Sequence, residues 1–359
     1  MKNRRYGGLS DEFAKLNDAL VFPHVADNSC GVLDASGAFC EFSRGVMGPR
    51  RATTEPEMPP VGELPHLKGR YLYGGWLRAH FGHFLLESTS RLWALDKLGE
   101  TIDGIIFVPF RRGGVGRAKK QYSPFLDILS GGKPIRIVRE PSQVDTLFVP
   151  DPGFGHHYRM CGSPRYRAHT RAQVAATIKP EGPERLYVSR SALMDKRGGV
   201  LAETRLEALL QANGYTVFHP QQHSIAEQLA HYRAARYLVS LDGSALHMAA
   251  YALQPDARVA MVLRRQAGLL ADLASQIELF TDAKVHSLDA LCASWVAHDA
   301  ERVDFRSIGE LDFNLLQREL TDAGFIEHSA PIGNLDPFET DAILTGMDRG
   351  DMHRVPVGG

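Results

Sequence analysis

The sequence predicts an α/β protein of parallel strand–helix–strand units, and three observations carry that reading. Short apolar runs flanked by turn residues recur as buried strands do: Ile105 to Pro109, Arg185 to Arg190, Tyr215 to Phe218, Tyr237 to Val239 and Arg258 to Leu263. Stretches with apolar residues at helical spacing lie between them. Among these are Ala202 to Asn213, ended by Asn213-Gly214, and a segment up to Ala234 opened by the capping-box pair Ser224 and Glu227. Strands and helices alternating at this spacing imply parallel crossovers. With 359 residues the chain is long enough for about two ordinary domains. Its organisation reads as 1–175, 176–300 and a carboxyl-terminal helix and tail, 301–359.

Composition narrows the function classes. Hydrophobic residues make up 44% and charged residues 23%, as in a soluble globular chain. A formal net charge of -1 and a pI near 7.0 give no bulk attraction to nucleic acid or to an anionic membrane, so no nucleic-acid partner is expected. Cys30, Cys40, Cys161 and Cys292 show neither CxxC pairing nor metal-ligand spacing, which fits a reduced, cytoplasmic protein without disulfides. The basic start MKNRRYGGLSDEF is followed by no apolar run, and no stretch of about 18 apolar residues occurs. Neither a signal peptide nor a transmembrane segment is therefore expected. Peripheral membrane association stays open, and the oligomeric state is not encoded in any motif.

Taken in order, Gly31 to Asp34 and Ala38 to Phe42 read as the arms of a hairpin around Ala35-Ser36-Gly37. The proline-rich stretch Thr54 to Pro65 is a loop, and Arg70 to Tyr73 a strand ending at Gly74-Gly75. From Trp76 to Gly99 the spacing of Phe81, Leu85, Ser88, Leu92 and Leu95 predicts a helix with one apolar stripe. His80, His83, Glu87 and Arg91 line another face of it. That polar row has three readings. It is a solvated face with an i,i+4 ion pair. Or His83 and Glu87, one turn apart and bracketed by Trp76, Phe81, Phe84 and Trp93, share a proton, with apolar neighbours raising the carboxylate's pKa as a general base requires. Or His83 and Glu87 are two ligands of a zinc site that lacks the HExxH order and an obvious third ligand.

The basic, glycine-rich stretch Arg111 to Lys120 reads as a loop without the P-loop Lys-Ser/Thr pair. Between Pro150 and Lys179 runs a Gly-, His- and Arg-rich crossover with a helical second part, whose His156, His157, Arg165 and Arg167 are candidates for meeting a phosphate or sugar. In the second half the strand at Tyr237 to Val239 stops at Asp242-Gly243, and Leu246, Ala249, Ala250 and Leu253 start a helix at once. Unpaired N–H groups at such a helix start attract an anion, and Gly243 allows close approach. The plainer alternative is that Asp242 or Ser244 caps the helix. Arg190 ends a parallel strand on the same edge, with Lys196 and Arg197 just beyond, so cations and a helix start gather there as a diphosphate site would require. Asp312 to Phe325 reads as a further amphipathic helix; the Pro-, Gly- and Asp-rich tail beyond Ala330 reads as loosely ordered or docked.

The stretch GWLRAHFGHFLLE, Gly75 to Glu87, resembles the histidine-then-acid block of glycosyltransferase family 61. Arg185-Leu-Tyr187-Val-Ser-Arg190, then Ala226-Glu227-Gln228, then Gly243-Ser244-Ala245-Leu246-His247 are similar to that family's later blocks, in the same order. Together they span Tyr71 to Ala252. Ser244, His247 and Met248 depart from the animal and plant pattern, which makes the chain resemble bacterial capsule-type members, and Glu87 stands where the acid is often Asp. The resemblance implies a GT-B-like pair of Rossmann-like domains facing across a cleft. It also implies inverting transfer from a nucleotide sugar, often a UDP-sugar, to a hydroxyl of a glycan or other acceptor, with no cofactor and no obligatory metal. On this reading Glu87, with His83 beside it, is the favoured base, and the first domain presents the acceptor near His80, His156 and His157. The second domain holds the donor with Arg190, Lys196, Arg197, Asp242, Gly243, Ser244, Ala245 and His247. A non-catalytic nucleotide-sugar or glycan-binding protein on the same fold is the competing expectation.

Overall fold

The structure, a computed structural model, describes residues 9–24, 28–48, 51–58, 63–110, 115–193, 198–266, 270–304, 306–328 and 330–357. The chain divides into two compact units, Met1–Ile178 and Lys179–Gly359.

The first unit is built on a six-stranded mixed sheet. Its strands are β1 (Phe13–Phe22), β2 (Gly31–Leu33), β3 (His66–Leu77), β4 (Gly104–Pro109), β5 (Ile135–Ile137) and β6 (Ser142–Pro150), in the order β2-β1-β6-β3-β4-β5. β6, β3, β4 and β5 run parallel, while β1 and β2 add an antiparallel edge. Val21, Tyr73, Ile106, Val108 and Leu147 fill the core on one face. Helices α1 (Val115–Ser130) and α2 (Pro164–Thr177) belong to the same unit. Lys119 and Lys120, read as loop, lie in α1, whereas 111–114 fall outside the described residues.

Three local expectations change. β3 does not end at Gly74-Gly75 but runs on to Leu77 through a bulge between Tyr73 and Gly75. Gly75 has φ +86°, and a Cβ there would stand 2.7 Å from the Arg91 guanidinium; one on Gly74 would stand 2.5 Å from the Phe107 ring. The glycine pair therefore lets the strand squeeze past two large side chains. The second arm of the expected hairpin curls into a 3-10 turn, Glu41–Ser43, leaving only the bridge Leu33 to Phe39. Ser43 Oγ accepts the Val32 N–H at 2.9 Å, while β2 itself pairs with β1. The continuous helix expected over 76–99 is broken into the short turns Phe81–His83, Phe84–Ser88, Leu92–Ala94, Leu95–Leu98 and Gly99–Thr101.

The second unit carries a five-stranded, all-parallel sheet of β7 (Arg185–Val188), β8 (Thr216–Phe218), β9 (Tyr237–Leu241), β10 (Arg258–Val262) and β11 (Lys284–Leu288). Its order, β8-β7-β9-β10-β11, is 2-1-3-4-5 within the unit. Helices α3 (Glu203–Ala212), α4 (Ile225–Ala234), α5 (Ser244–Ala252) and α6 (Leu270–Thr281) alternate with the strands, and Ser224 and Glu227 form the expected capping box at the start of α4. A small antiparallel sheet follows, with β12 (Leu291–Ala297) flanked by β13 (Ile308–Leu311) and β14 (Met352–Pro356). Helix α7 (Phe313–Asp322) buries Phe313, Leu316 and Leu320 in one core with Tyr187, Leu210 and Val239. The chain beyond Ala330 folds back: Asp336 and Glu339 cap α8 (Pro337–Gly346), and β14 pairs with β12.

Candidate active site

β3 and β6 are parallel neighbours, so their carboxyl ends open on the same edge of the first sheet. After β3 the chain passes Arg78 and enters the broken helix. Three consecutive hydroxyl residues explain the break. Ser88 Oγ accepts the Arg78 N–H at 3.0 Å, Thr89 Oγ1 donates to the Leu85 carbonyl at 2.6 Å, and Ser90 Oγ donates to the Glu87 carbonyl at 2.8 Å. Phe84–Ser88 is a single wide π turn, a local irregularity that recurs at functional sites. It turns Glu87 inward, leaving it 5% exposed, and Arg91 is buried too. At Glu87 and Arg91 the polar row is thus not a solvated face, whereas His80 stays exposed and His83 part-exposed.

Glu87 Oε1 lies 2.6 Å from His83 Nδ1 and 2.7 Å from His156 Nε2, the latter delivered by the loop after β6. The Arg78 Nε is 3.3 Å from Oε2. Burial pushes the Glu87 carboxyl up, but hydrogen bonds from His156 and His83 and the Arg78 charge outweigh it and hold the group at about 2. The expectation of a raised pKa is reversed, because apolar neighbours matter less than three cationic or N–H partners. At neutral pH Glu87 is an acceptor only, so each imidazole nitrogen facing it carries the proton. His83 Nε2 and His156 Nδ1 are left as the nitrogens that do not face Glu87.

The third ligand that a metal site needs is also His156. One atom each from His83, Glu87 and His156 lie within 4.8 Å of one another. The present 2.6 and 2.7 Å separations are hydrogen-bond lengths, whereas two donors on one tetrahedral zinc stand roughly 3.3 Å apart. A metal would therefore have to spread these side chains. The exposed His80 ring meets His83 at 5.2 Å between centroids. His157 is exposed, has φ +54°, and makes none of the contacts to Glu87. Arg165 pairs with Asp11 at 3.3 Å, and Arg167 ties down the Cys161 and Gly162 carbonyls.

In the second unit the strand order reverses between β7 and β9, and ligands of open parallel sheets bind at the carboxyl ends of such a pair. Ser189 and Arg190 follow β7; Asp242 and Gly243 follow β9. Arg190 Nη1 would be 3.0 Å from a Cβ on Gly243, so the expected neighbours do meet. Ser244 and Ala245 open α5, which has no side-chain cap. Asp242 does not cap it: buried, it accepts the Arg264 N–H at 2.8 Å and lies 3.6 Å from that guanidinium. His247 sits farther along α5, buried, with Nδ1 2.6 Å from Gln276 of α6. Lys196 and Arg197 lie outside the described residues.

Two residues of this edge were missed from sequence. Arg264 follows β10 as Arg190 follows β7, and that parallel is the signal that could have found it. Both donate to the Gly198 carbonyl, at 3.2 Å from Arg264 and 3.1 Å from Arg190. Burial pulls the Arg264 pKa down to about 10, with Asp242 opposing and Arg190 and Arg265 adding to the fall, so it stays charged at neutral pH. Glu203, buried in the first turn of α3, accepts from the Arg190 N–H at 2.7 Å and Tyr187 Oη at 2.8 Å. Burial raises its pKa.

The depressed Glu87 pKa has a consequence for stability. A group whose folded pKa lies below its unfolded value of 4.5 stabilises the fold above that value and loses the contribution as pH falls towards about 2. The contribution is on the order of 3 kcal/mol. Glu87→Gln cannot titrate, so its unfolding free energy should fall less steeply than the wild type's over that acid window. Denaturant melts at a series of pH values read the slopes, and equal slopes would contradict the assignment.

The family model described as Glycosyltransferase 61 matches residues 81–260, from the broken helix after β3 to β10, which is half of the chain. No curated protein matches the sequence. The matched span includes His83, Glu87, His156, Arg190 and the Asp242-Gly243 turn, and on that match the chain belongs to the glycosyltransferase 61 family.

Proposed function

We propose that the protein is an inverting glycosyltransferase of bacterial capsule type that acts in the cytoplasm. It moves a hexosyl or pentosyl group from a nucleotide sugar, a UDP-sugar by the resemblance of its sequence blocks, to a hydroxyl of a glycan or similar acceptor. The observation that carries the reading is the buried Glu87 carboxylate, held at about 2 and accepting the Nδ1–H of the part-exposed His83.

That observation also reassigns the base. A carboxylate with so low a pKa is a poor proton acceptor at neutral pH, whereas imidazole is the side chain that ordinarily titrates there. His83 Nε2 takes the acceptor's proton as its oxygen attacks the anomeric carbon opposite the departing nucleotide. The C–O bond to the diphosphate breaks with its electron pair on the phosphate oxygen. Glu87 orients the ring and stabilises the imidazolium, as the acid of a base–orienter pair does. In the second unit Arg190, Arg264, Gly243 and the first N–H groups of α5 receive the diphosphate.

Glu87→Gln and His83→Ala should each lower kcat by about 10²–10⁴-fold with little change in donor affinity. The double variant should be little worse than the poorer single one if the pair acts as a unit. Steady-state kinetics with a sugar-nucleotide panel reads this, and near-wild-type kcat in both variants would remove the pair from the chemistry. Nucleotide binding without any turnover across the panel would leave a non-catalytic binding protein.

Arg190→Ala should weaken nucleoside diphosphate binding by about 1.5–3 kcal/mol, roughly 10- to 150-fold. Unchanged affinity in calorimetry would displace the donor from this edge. Because Asp242 is committed to Arg264 and the edge is cationic, we also propose that the diphosphate charge is met without a metal. Activity should then persist in EDTA; its loss, with recovery on adding magnesium or manganese, would overturn that part of the mechanism.

A further inference from the structure

We propose that two acidic residues on one face of α3, Glu203 and Glu207, clamp the turn after β7 and so set where the Arg190 guanidinium meets the donor's diphosphate. The inference rests on the reading above that Arg190 receives that diphosphate. It makes Glu203 and Glu207 positioning residues that act through Arg190 and do not themselves touch the donor.

Ser189, Arg190 and Ser191 follow β7 directly, and α3 holds each of them. Glu203 Oε1 accepts the Arg190 N–H at 2.7 Å and the Tyr187 hydroxyl at 2.8 Å. Glu207, one helical turn further on, accepts from Ser189 Oγ at 2.6 Å and from Ser191 Oγ at 2.5 Å. Ser189 Oγ also lies 3.2 Å from Glu203 Oε1, so the two acids converge on one hydroxyl. The helix dipole accounts for an acid in the first turn of α3, where Glu203 stands, but not for Glu207 in the second. Like charges at this spacing disfavour a helix, and Glu203 is buried as well. Burial raises the Glu203 pKa, and the Arg190 N–H and the Arg190 charge are among the opposing influences. Glu203 also borders the far side of the guanidinium's seat. A Cβ on Gly199 would stand 3.6 Å from its Oε2, and the neighbouring Gly198 carbonyl accepts from Arg190 Nη2 at 3.1 Å. The backbone of Arg190 is therefore fixed before any ligand arrives. A long side chain starting from a fixed backbone has fewer arrangements to lose on binding, and a charge-assisted hydrogen bond weakens steeply once its geometry slips.

The test is calorimetric titration of UDP, GDP and CDP into wild type, Glu203→Asp, Glu203→Gln, Arg190→Ala and the Glu203→Asp, Arg190→Ala double variant, with folding checked by near-UV circular dichroism. The nucleotide that wild type binds most tightly serves as probe. Glu203→Asp keeps the charge but draws the oxygen back by one methylene, and should weaken binding by about 3- to 10-fold, as loss of one hydrogen bond does. Glu203→Gln keeps an oxygen within reach of the Arg190 N–H and should retain most of the affinity, which separates placement from charge. In the Arg190→Ala background Glu203→Asp should cause no further loss, because the acid acts through Arg190. A merely structural role would instead give the same loss in both backgrounds. That result, or affinity left unchanged by Glu203→Asp, would overturn the clamp. Should Glu203→Asp not fold, the same cycle with Glu207→Ala, at a half-buried position, decides. The two readings fail differently. Weakening by Arg190→Ala without weakening by Glu203→Asp would remove the clamp alone. Unchanged affinity in Arg190→Ala, or no nucleotide bound by wild type, would remove the donor site and the clamp with it.

Discussion

Two imidazole N–H groups converge on one oxygen of a buried carboxylate, and much of the first unit is arranged to make that affordable. Removing a carboxylate from water is costly, and Glu87 meets that cost with hydrogen bonds from His83 and His156 and with the Arg78 charge. Each partner has its own structural requirement. His83 needs the turn that the Ser88-Thr89-Ser90 hydroxyls impose on a would-be helix. His156 needs β6 beside β3, in parallel, so that the loop after one reaches the turn after the other. Arg91, just past that turn, lies against Gly75, whose positive φ and missing Cβ let the strand pass. A larger residue at Gly75 would collide with the Arg91 guanidinium.

The second unit uses the same construction with the opposite sign. Its functional candidates also follow the carboxyl ends of parallel strands, because those ends leave helix starts and loops exposed to a ligand. There the carboxylates at the edge are consumed internally, Asp242 by Arg264 and Glu203 by the Arg190 N–H and the Tyr187 hydroxyl. What faces outward is the end of α5, uncapped by any side chain, with Arg190 against Gly243. One unit therefore concentrates a proton acceptor and the other concentrates cations.

How much of this was legible in the sequence depended on the range of each signal. The β9–α5 turn, the Ser224–Glu227 box and the pairing of Arg190 with Gly243 follow from local patterns and from strand alternation, which carry across neighbouring βαβ units. The polar row His80, His83, Glu87 and Arg91 was visible as a row. Its burial was not, since helical spacing says nothing of which face is covered, and the three hydroxyl residues that break the helix look neutral in isolation. His156 is 69 residues from Glu87, and only the sheet order β6-β3 joins them. Arg264 is 22 residues from Asp242 and was hidden in the same way. The error on the Glu87 pKa had this source: the apolar neighbours are local in sequence, whereas one of the hydrogen-bond donors that outweighs them is not.

The edge of the second unit carries a further physical consequence. Arg190 and Arg264 are drawn to the same neutral acceptor, the Gly198 carbonyl, which places two like charges close together. Their mutual repulsion contributes to the fall in the Arg264 pKa, and Arg265 adds to it. Asp242 pairs with Arg264, and the buried Glu203 also opposes the fall. A site in which two guanidinium groups share one carbonyl, next to a helix start that no side chain caps, brings like charges close together. Such a site gains most from a ligand that brings more than one negative charge at short spacing. Under the proposed function the nucleotide diphosphate is that ligand, and its charge relieves a repulsion that the folded chain already contains.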